Sequence, residues 1–135
     1  MSKESPLVLV VDDDRDGREM YTATLATSGF RVEQAIDGFE AVDKSYKLRP
    51  DLILMDLLMP RLDGWEVIGW LKNNRNTRDI PIVAVTGAQA EQRELARSAG
   101  VHSVLVKPCP PETLLDEIRR VLAEIRKVLA EHPVR

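Results

Sequence analysis

Three apolar runs in this chain, LVLVV at 7–11, LILM at 52–55 and IVAV at 82–85, contain no polar residue. A strand with one face in water would alternate apolar and polar side chains. Unbroken runs of this length therefore need cover on both faces, which is the situation of a parallel sheet sandwiched between helices. Two further runs, Phe30 to Gln34 and Ser103 to Val106, complete a set of five strands at 7–11, 30–34, 52–55, 80–85 and 103–106. Stretches of helical length separate them, so the order is strand then helix, five times over. That alternation predicts a doubly wound α/β sandwich. With 135 residues, 44% of them hydrophobic, the chain can bury one such core and is too short for two ordinary domains.

Helix ends are also written locally. Asp37 with Glu40 and Asp63 with Glu66 have capping-box spacing, in which the two side chains satisfy amides that the first turn leaves without partners. Gly29 and Gly100 each follow a helical stretch and precede a strand, where a left-handed residue closes the last turn. The expected helices are Asp16 to Ser28, Gly38 to Leu48, Gly64 to Asn74, Gln89 to Ala99 and Pro111 to Glu131.

Charge and hydropathy exclude several classes of function. A formal charge of −3 opposes a nucleic-acid groove, which would need a clustered excess of Lys and Arg. The longest apolar runs, Pro6 to Val11 and Leu52 to Met55, are far too short to cross a bilayer, and the start MSKESP has no signal-peptide core. A soluble, cytoplasmic protein is expected. The lone Cys109 cannot form an internal disulfide, which fits a reducing compartment.

In a parallel sheet the carboxyl ends of all strands meet at one edge. Here that edge is polar: Asp12, Asp13 and Asp14 follow the first strand, Asp56 the third, Thr86 the fourth and Lys107 the fifth. Several carboxylates on one rim repel one another and raise each other's pKa unless a cation joins them. Oxygen ligands with room left for water suit Mg²⁺. For any one of these residues a solvated acidic loop would be the simpler reading; joint placement at four strand ends argues against it. Asp56 follows the apolar run 52–55 and so belongs at the mouth of the core, as a nucleophile. A carboxylate can attack a phosphoryl group while a metal and a lysine offset charge on the transferring oxygens. Lys107 supplies that point charge, and Thr86 offers a hydroxyl donor. The Lys107–Pro108 bond is a candidate cis peptide.

The stretches VLVVDDD, LILMDLLMPRLDGWE, IPIVAVTG and VLVKP stand in the order and at the spacings of response-regulator receiver domains, and the chain resembles that family over about Pro6 to Ala123. The resemblance implies a flavodoxin-like receiver fold of strand order 2-1-3-4-5 and a signalling role in two-component phosphorelays, not that of an enzyme. It implies Asp56 as phosphoacceptor, Thr86 as switch hydroxyl and Lys107 on phosphate. It further implies Mg²⁺ on Asp12, Asp13, Asp56 and the backbone carbonyl of Leu58, and a sensor histidine kinase or histidine phosphotransfer protein as donor. The expected organisation is a tail at 1–5, a receiver at 6–123 and a helical extension at 124–135, acting as a stand-alone unit. Two departures stand out. Val104 occupies the place of the usual aromatic switch residue, three positions before the lysine, so no rotating Tyr reads out the switch. Leu58 and Ala88, two residues beyond Asp56 and Thr86, cannot orient an attacking water, and slow loss of phosphate is expected.

Competing readings are weaker. Residues Asp12 to Gly17 match the first half of an EF-hand loop, but position 12 holds Ala23 in place of a bidentate Glu, and a strand precedes the segment where an EF-hand has a helix. An aspartate-based phosphohydrolase using Asp12 and Asp14 would leave Asp56 without a role. A flavin binder would need amide and hydroxyl donors where the first loop is triply acidic. A non-phosphorylated pseudo-receiver, acting as a binding module, would not need all five signature side chains. Trp65 and Trp70, five residues apart, cannot share one narrow stripe, so at least one is expected to be partly exposed. His102 and His132 are not displayed on a helix face as a phosphodonor would be, and nothing marks Cys109 as redox-active. Finally, Leu115, Ile118, Leu122, Ile125 and Leu129 keep alternating three- and four-residue steps. This heptad-like seam predicts a homodimer or a docked partner helix.

Overall fold

The computed structural model describes residues 5–57, 64–87 and 90–131. Strands β1 (Leu7–Val11), β2 (Arg31–Ala35), β3 (Leu52–Asp56), β4 (Ile82–Thr86) and β5 (Ser103–Val106) alternate with helices α1 (Arg15–Thr27), α2 (Gly38–Leu48), α3 (Gly64–Lys72), α4 (Ala90–Ala99) and α5 (Pro111–Glu131). The strands form one sheet in the order β2-β1-β3-β4-β5, and every neighbouring pair is parallel. This is the expected doubly wound fold.

The unbroken apolar runs are explained by two-sided burial. Leu9, Val11, Ile53, Met55, Ile82 and Ala84 face a layer that includes Ala41 of α2, Val67, Ile68 and Leu71 of α3 and Ala96 of α4. The alternate residues Val8, Val10, Leu52, Leu54, Val83 and Val85 face Tyr21 and Leu25 of α1 and Leu114, Ile118 and Val121 of α5. Each large aliphatic side chain buried this way contributes about 1.5 to 3 kcal/mol, and a polar residue in either set would lose that and leave an unpaired group.

Local signals set the boundaries. The Asp37 side chain accepts from the Glu40 amide at 2.8 Å and the Glu40 carboxylate accepts from the Ile36 amide at 3.0 Å, which starts α2 where the capping box places it. Gly29 (φ 93°) and Gly100 (φ 108°) are left-handed, as their position after helices requires. Asp63 of the second capping box lies outside the described residues, as do Leu58, Gln89 and His132. Where boundaries differ from expectation, side chains are the reason. Helix α1 starts one residue early because Asp14 caps it, accepting from the Gly17 amide at 2.8 Å. Strand β4 starts at Ile82, not Ile80, because the Ile80 amide is spent on the Thr77 carbonyl in a turn. Trp65 and Trp70 are both exposed, at 37% and 43%.

Helix α5 runs unbroken to Glu131, but most of the predicted seam is turned inward. Ile118 is buried, and Leu115, Leu122 and Ile125 pack against the α1/α5 core. Of the large apolar residues at its end, Val128 and Leu129 stay open, at 51% and 52% exposure. No helix among the described residues is long and apolar enough to cross a membrane.

Candidate functional site

Strand β1 delivers Asp12 to the carboxyl edge of the sheet. Its amide donates to the Ala35 carbonyl of β2 at 3.1 Å, and its Oδ1 accepts from the Asp14 amide at 2.8 Å. The residue is 1% exposed. Burial chiefly, with the charges of Asp56 and Asp14 adding, pushes its carboxyl up to about 6 against the pull of the Asp14 amide and of Lys107. Strand β3 ends in Asp56, opposite Val85 of β4 in the register and also 1% exposed. Lys107 Nζ lies 2.6 Å from Asp56 Oδ2. Thr86 ends β4, buried, and its carbonyl accepts from the Lys107 amide at 2.9 Å, which ties the lysine to the neighbouring strand. The Lys107–Pro108 peptide is cis.

Asp12, Asp56 and Lys107 are thus brought together, with Thr86 beside them. Asp13 is half-buried and lines an adjoining groove with Arg15, Arg18, Ile36 and Asp37. Asp14 is taken up as the cap of α1, and the Leu58 carbonyl lies outside the described residues. Val104 is half-buried against the α2–α4 layer, so no aromatic side chain fills that place. The EF-hand reading fails outright, since residues 15–27 are helix and cannot wrap a cation as a loop.

The sequence reading missed three residues near the site. Gly17 packs closely on Asp12: a Cβ there would stand 2.7 Å from Asp12 Oδ2 and 3.2 Å from Asp14 Oδ2. Tyr21 lies buried beneath the site, its hydroxyl held protonated by burial and by the charges of Asp56 and Asp12. Arg18 donates from a terminal guanidinium nitrogen to the Asp12 carbonyl at 3.0 Å. Among the described residues no three acidic, histidine or cysteine side chains form a ready-made metal cage. Mg²⁺ does not require one, because it keeps most of its water and is held through one or two carboxylates. Two buried carboxylates that feel each other's charge, with a glycine at 17 where a Cβ would press on Asp12 Oδ2, fit that cation.

A family profile described as the response regulator receiver domain matches residues 8–119. This chain belongs to the response-regulator receiver family. The receiver is 40% identical over 116 residues to response regulator MprA of Mycobacterium avium, covering 85% of this chain and 50% of that one. It is 31% identical over 124 residues to the DNA-binding dual master transcriptional regulator RpaA of Synechocystis sp., covering 91% of this chain and 52% of that one. The receiver thus spans about half the length of the curated relatives it matches. Among solved structures, chemotaxis protein CheY4 of Vibrio cholerae is 36% identical and superposes with a TM-score of 0.81, over 87% of this chain and 98% of that one. The chain is therefore a receiver domain of two-component signalling.

Proposed function

We propose that this receiver accepts a phosphoryl group on Asp56 from a histidine kinase or a histidine phosphotransfer protein, and that the modification alters its binding to a downstream partner. The carrying observation is the 2.6 Å contact between Lys107 Nζ and the buried Asp56 Oδ2. A carboxylate held at the mouth of an apolar core, with an ammonium already beside it, is placed to attack phosphorus. An Asp56 oxygen bonds to phosphorus as the bond to the donor's imidazole nitrogen breaks, and the electron pair leaves on that nitrogen. Lys107 stays with the transferred oxygens as a point charge and the Thr86 hydroxyl donates to one of them. Asp12, Asp13, Asp56 and the Leu58 carbonyl would hold Mg²⁺, which supplies further positive charge to those oxygens when bound. We assign residues 6–123 to the receiver, 1–5 to a tail and 124–135 to an extension of α5. We place the protein in the cytoplasm, catalysing only its own phosphorylation and dephosphorylation.

The test is intact mass after incubation with acetyl phosphate, with and without Mg²⁺. One added phosphoryl group is expected only with Mg²⁺ and only when Asp56 is present. An equal gain in Asp56→Asn would remove the assignment, and no gain in either protein would favour a binding module that is never phosphorylated.

A further inference from the structure

One side chain outside the acidic cluster, Arg18, reaches the main chain of Asp12, and a chain of hydrogen bonds stands behind it. Arg18, one turn into α1, donates to the Asp12 carbonyl at 3.0 Å, and its Nε donates to Gln34 Oε1 at 3.0 Å. Gln34 in turn donates from Nε2 to Thr22 Oγ1 at 3.0 Å, four residues along α1 from Arg18. Gln34 lies on β2 opposite Val10, two residues before Asp12, and its own carbonyl accepts from Lys44 of α2 at 2.5 Å. The relay Thr22–Gln34–Arg18 thus spans α1 and the edge strand and ends on Asp12. Asp12 is held at three points: its amide by Ala35, its carboxylate by the Asp14 amide and its carbonyl by Arg18.

Two features separate this contact from ordinary helix packing. The guanidinium addresses the main chain of Asp12, leaving the carboxylate to the Asp14 amide. A planar guanidinium also presents donors in a rigid fork, so a single side chain can grip Gln34 and the Asp12 carbonyl together, which a lysine ammonium on a flexible stem does less well.

We infer that Arg18 is a positioning residue for the divalent-cation site: by clamping the Asp12 carbonyl it fixes the turn between β1 and α1 and so aims the Asp12 carboxylate. This rests on the Mg²⁺ reading given under Proposed function. Partners that orient a metal ligand without touching the metal typically contribute about tenfold or more to affinity.

The experiment is calorimetric titration of the unphosphorylated protein with Mg²⁺, comparing wild type with Arg18→Ala, Arg18→Lys, Gln34→Met and Arg15→Ala, with far-UV circular dichroism to show that each is folded. Arg18→Ala is expected to weaken Mg²⁺ binding about tenfold. Arg18→Lys should lie nearer to Arg18→Ala than to wild type, and Gln34→Met should shift in the same direction by releasing Nε. Arg15→Ala removes the neighbouring positive charge from the same groove but no contact with Asp12, and should bind as wild type does. Should Arg18→Ala not fold, the lysine and Gln34 variants carry the comparison. Affinity within about twofold of wild type in the folded Arg18 variants, or an Arg15→Ala loss as large as theirs, would overturn the inference while leaving the phosphoacceptor reading intact. A wild-type protein that takes no Mg²⁺ would sink both.

Discussion

Asp12 carries a cost that a single isosteric change can expose. Its carboxyl is raised from 3.8 to about 6, burial being the main cause, so at neutral pH the folded protein holds an ionised group that its surroundings disfavour. At about 1.4 kcal/mol per pKa unit, this corresponds to about 3 kcal/mol of stability withheld above pH 6. Asp12→Asn removes the charge while keeping Oδ1 as acceptor for the Asp14 amide. The shift is already net of the Asp14 bond and of the attraction of Lys107, but the variant buries an amide NH2 in place of Oδ2, and donors left without partners there cost about 1 to 2 kcal/mol. The net expectation is a variant about 1 to 2 kcal/mol more stable than wild type at pH 7 without Mg²⁺, or about 4 to 8 °C in Tm for a domain of this size. The pH dependence has a definite sign. A carboxyl whose folded pKa lies above its unfolded value binds more protons in the native state, so wild-type stability falls as pH rises from about 4 through about 6. The advantage of Asp12→Asn should therefore be absent at pH 4 and complete by pH 7. Mg²⁺ at ten times its Kd should return about 1.4 kcal/mol to wild type and little to the variant. Urea unfolding followed by circular dichroism, in chelator and in Mg²⁺, reads all three effects. A variant less stable than wild type at pH 7 in chelator, or an advantage that does not change with pH, would refute the reasoning.

Three further outcomes are expected. Glu117 is held down to about 2, chiefly by hydrogen bonds from Arg120 with help from Ser103, so its contribution is present above about pH 4.5 and lost as pH falls toward 2; Glu117→Gln should cost about 1 kcal/mol in urea unfolding at pH 7 and almost nothing near pH 2. Since Ile125 packs on the core while Leu129 is half in water, Ile125→Glu should destabilise the monomer by about 1 to 3 kcal/mol and Leu129→Glu by less than about 0.5; two open side chains do not offset the loss of freedom on association, and sedimentation equilibrium should show a monomer at micromolar concentration. Leu58 and Ala88, both outside the described residues, stand two positions beyond Asp56 and Thr86 in the sequence, where the family resemblance implies side chains that flank the approach of water; a phosphoryl group on Asp56, as proposed, should therefore persist for minutes or longer at neutral pH, and a lifetime of seconds by phosphate release would contradict that.

How far each feature could be read from the sequence follows from the range of the interaction behind it. The strands were legible because burial on both faces leaves no room for polar residues, as Val8 to Val11 and Leu52 to Met55 show. Helix α2 was legible to the residue because Asp37 and Glu40 solve its first turn locally. The candidate site followed from these, since a parallel sheet delivers the ends of β1, β3, β4 and β5 to one edge whatever the side chains do. The direction of the α5 stripe was not legible because a heptad-like spacing is the same whether it faces a partner or its own sheet, and only the packing of Leu115, Leu122 and Ile125 shows how much of it the core takes up. The Arg18 clamp was invisible for a different reason. Its grip on Asp12 spans six residues across a strand-to-helix turn, and its alignment depends on Gln34 from a strand sixteen residues away. Neither distance belongs to a helical or a strand period. Residues that touch the reacting group are thus found from topology, whereas those that hold them still are found only when rotamers and register are known together, and the calorimetric comparison of Arg18 with Arg15 bears on that second kind.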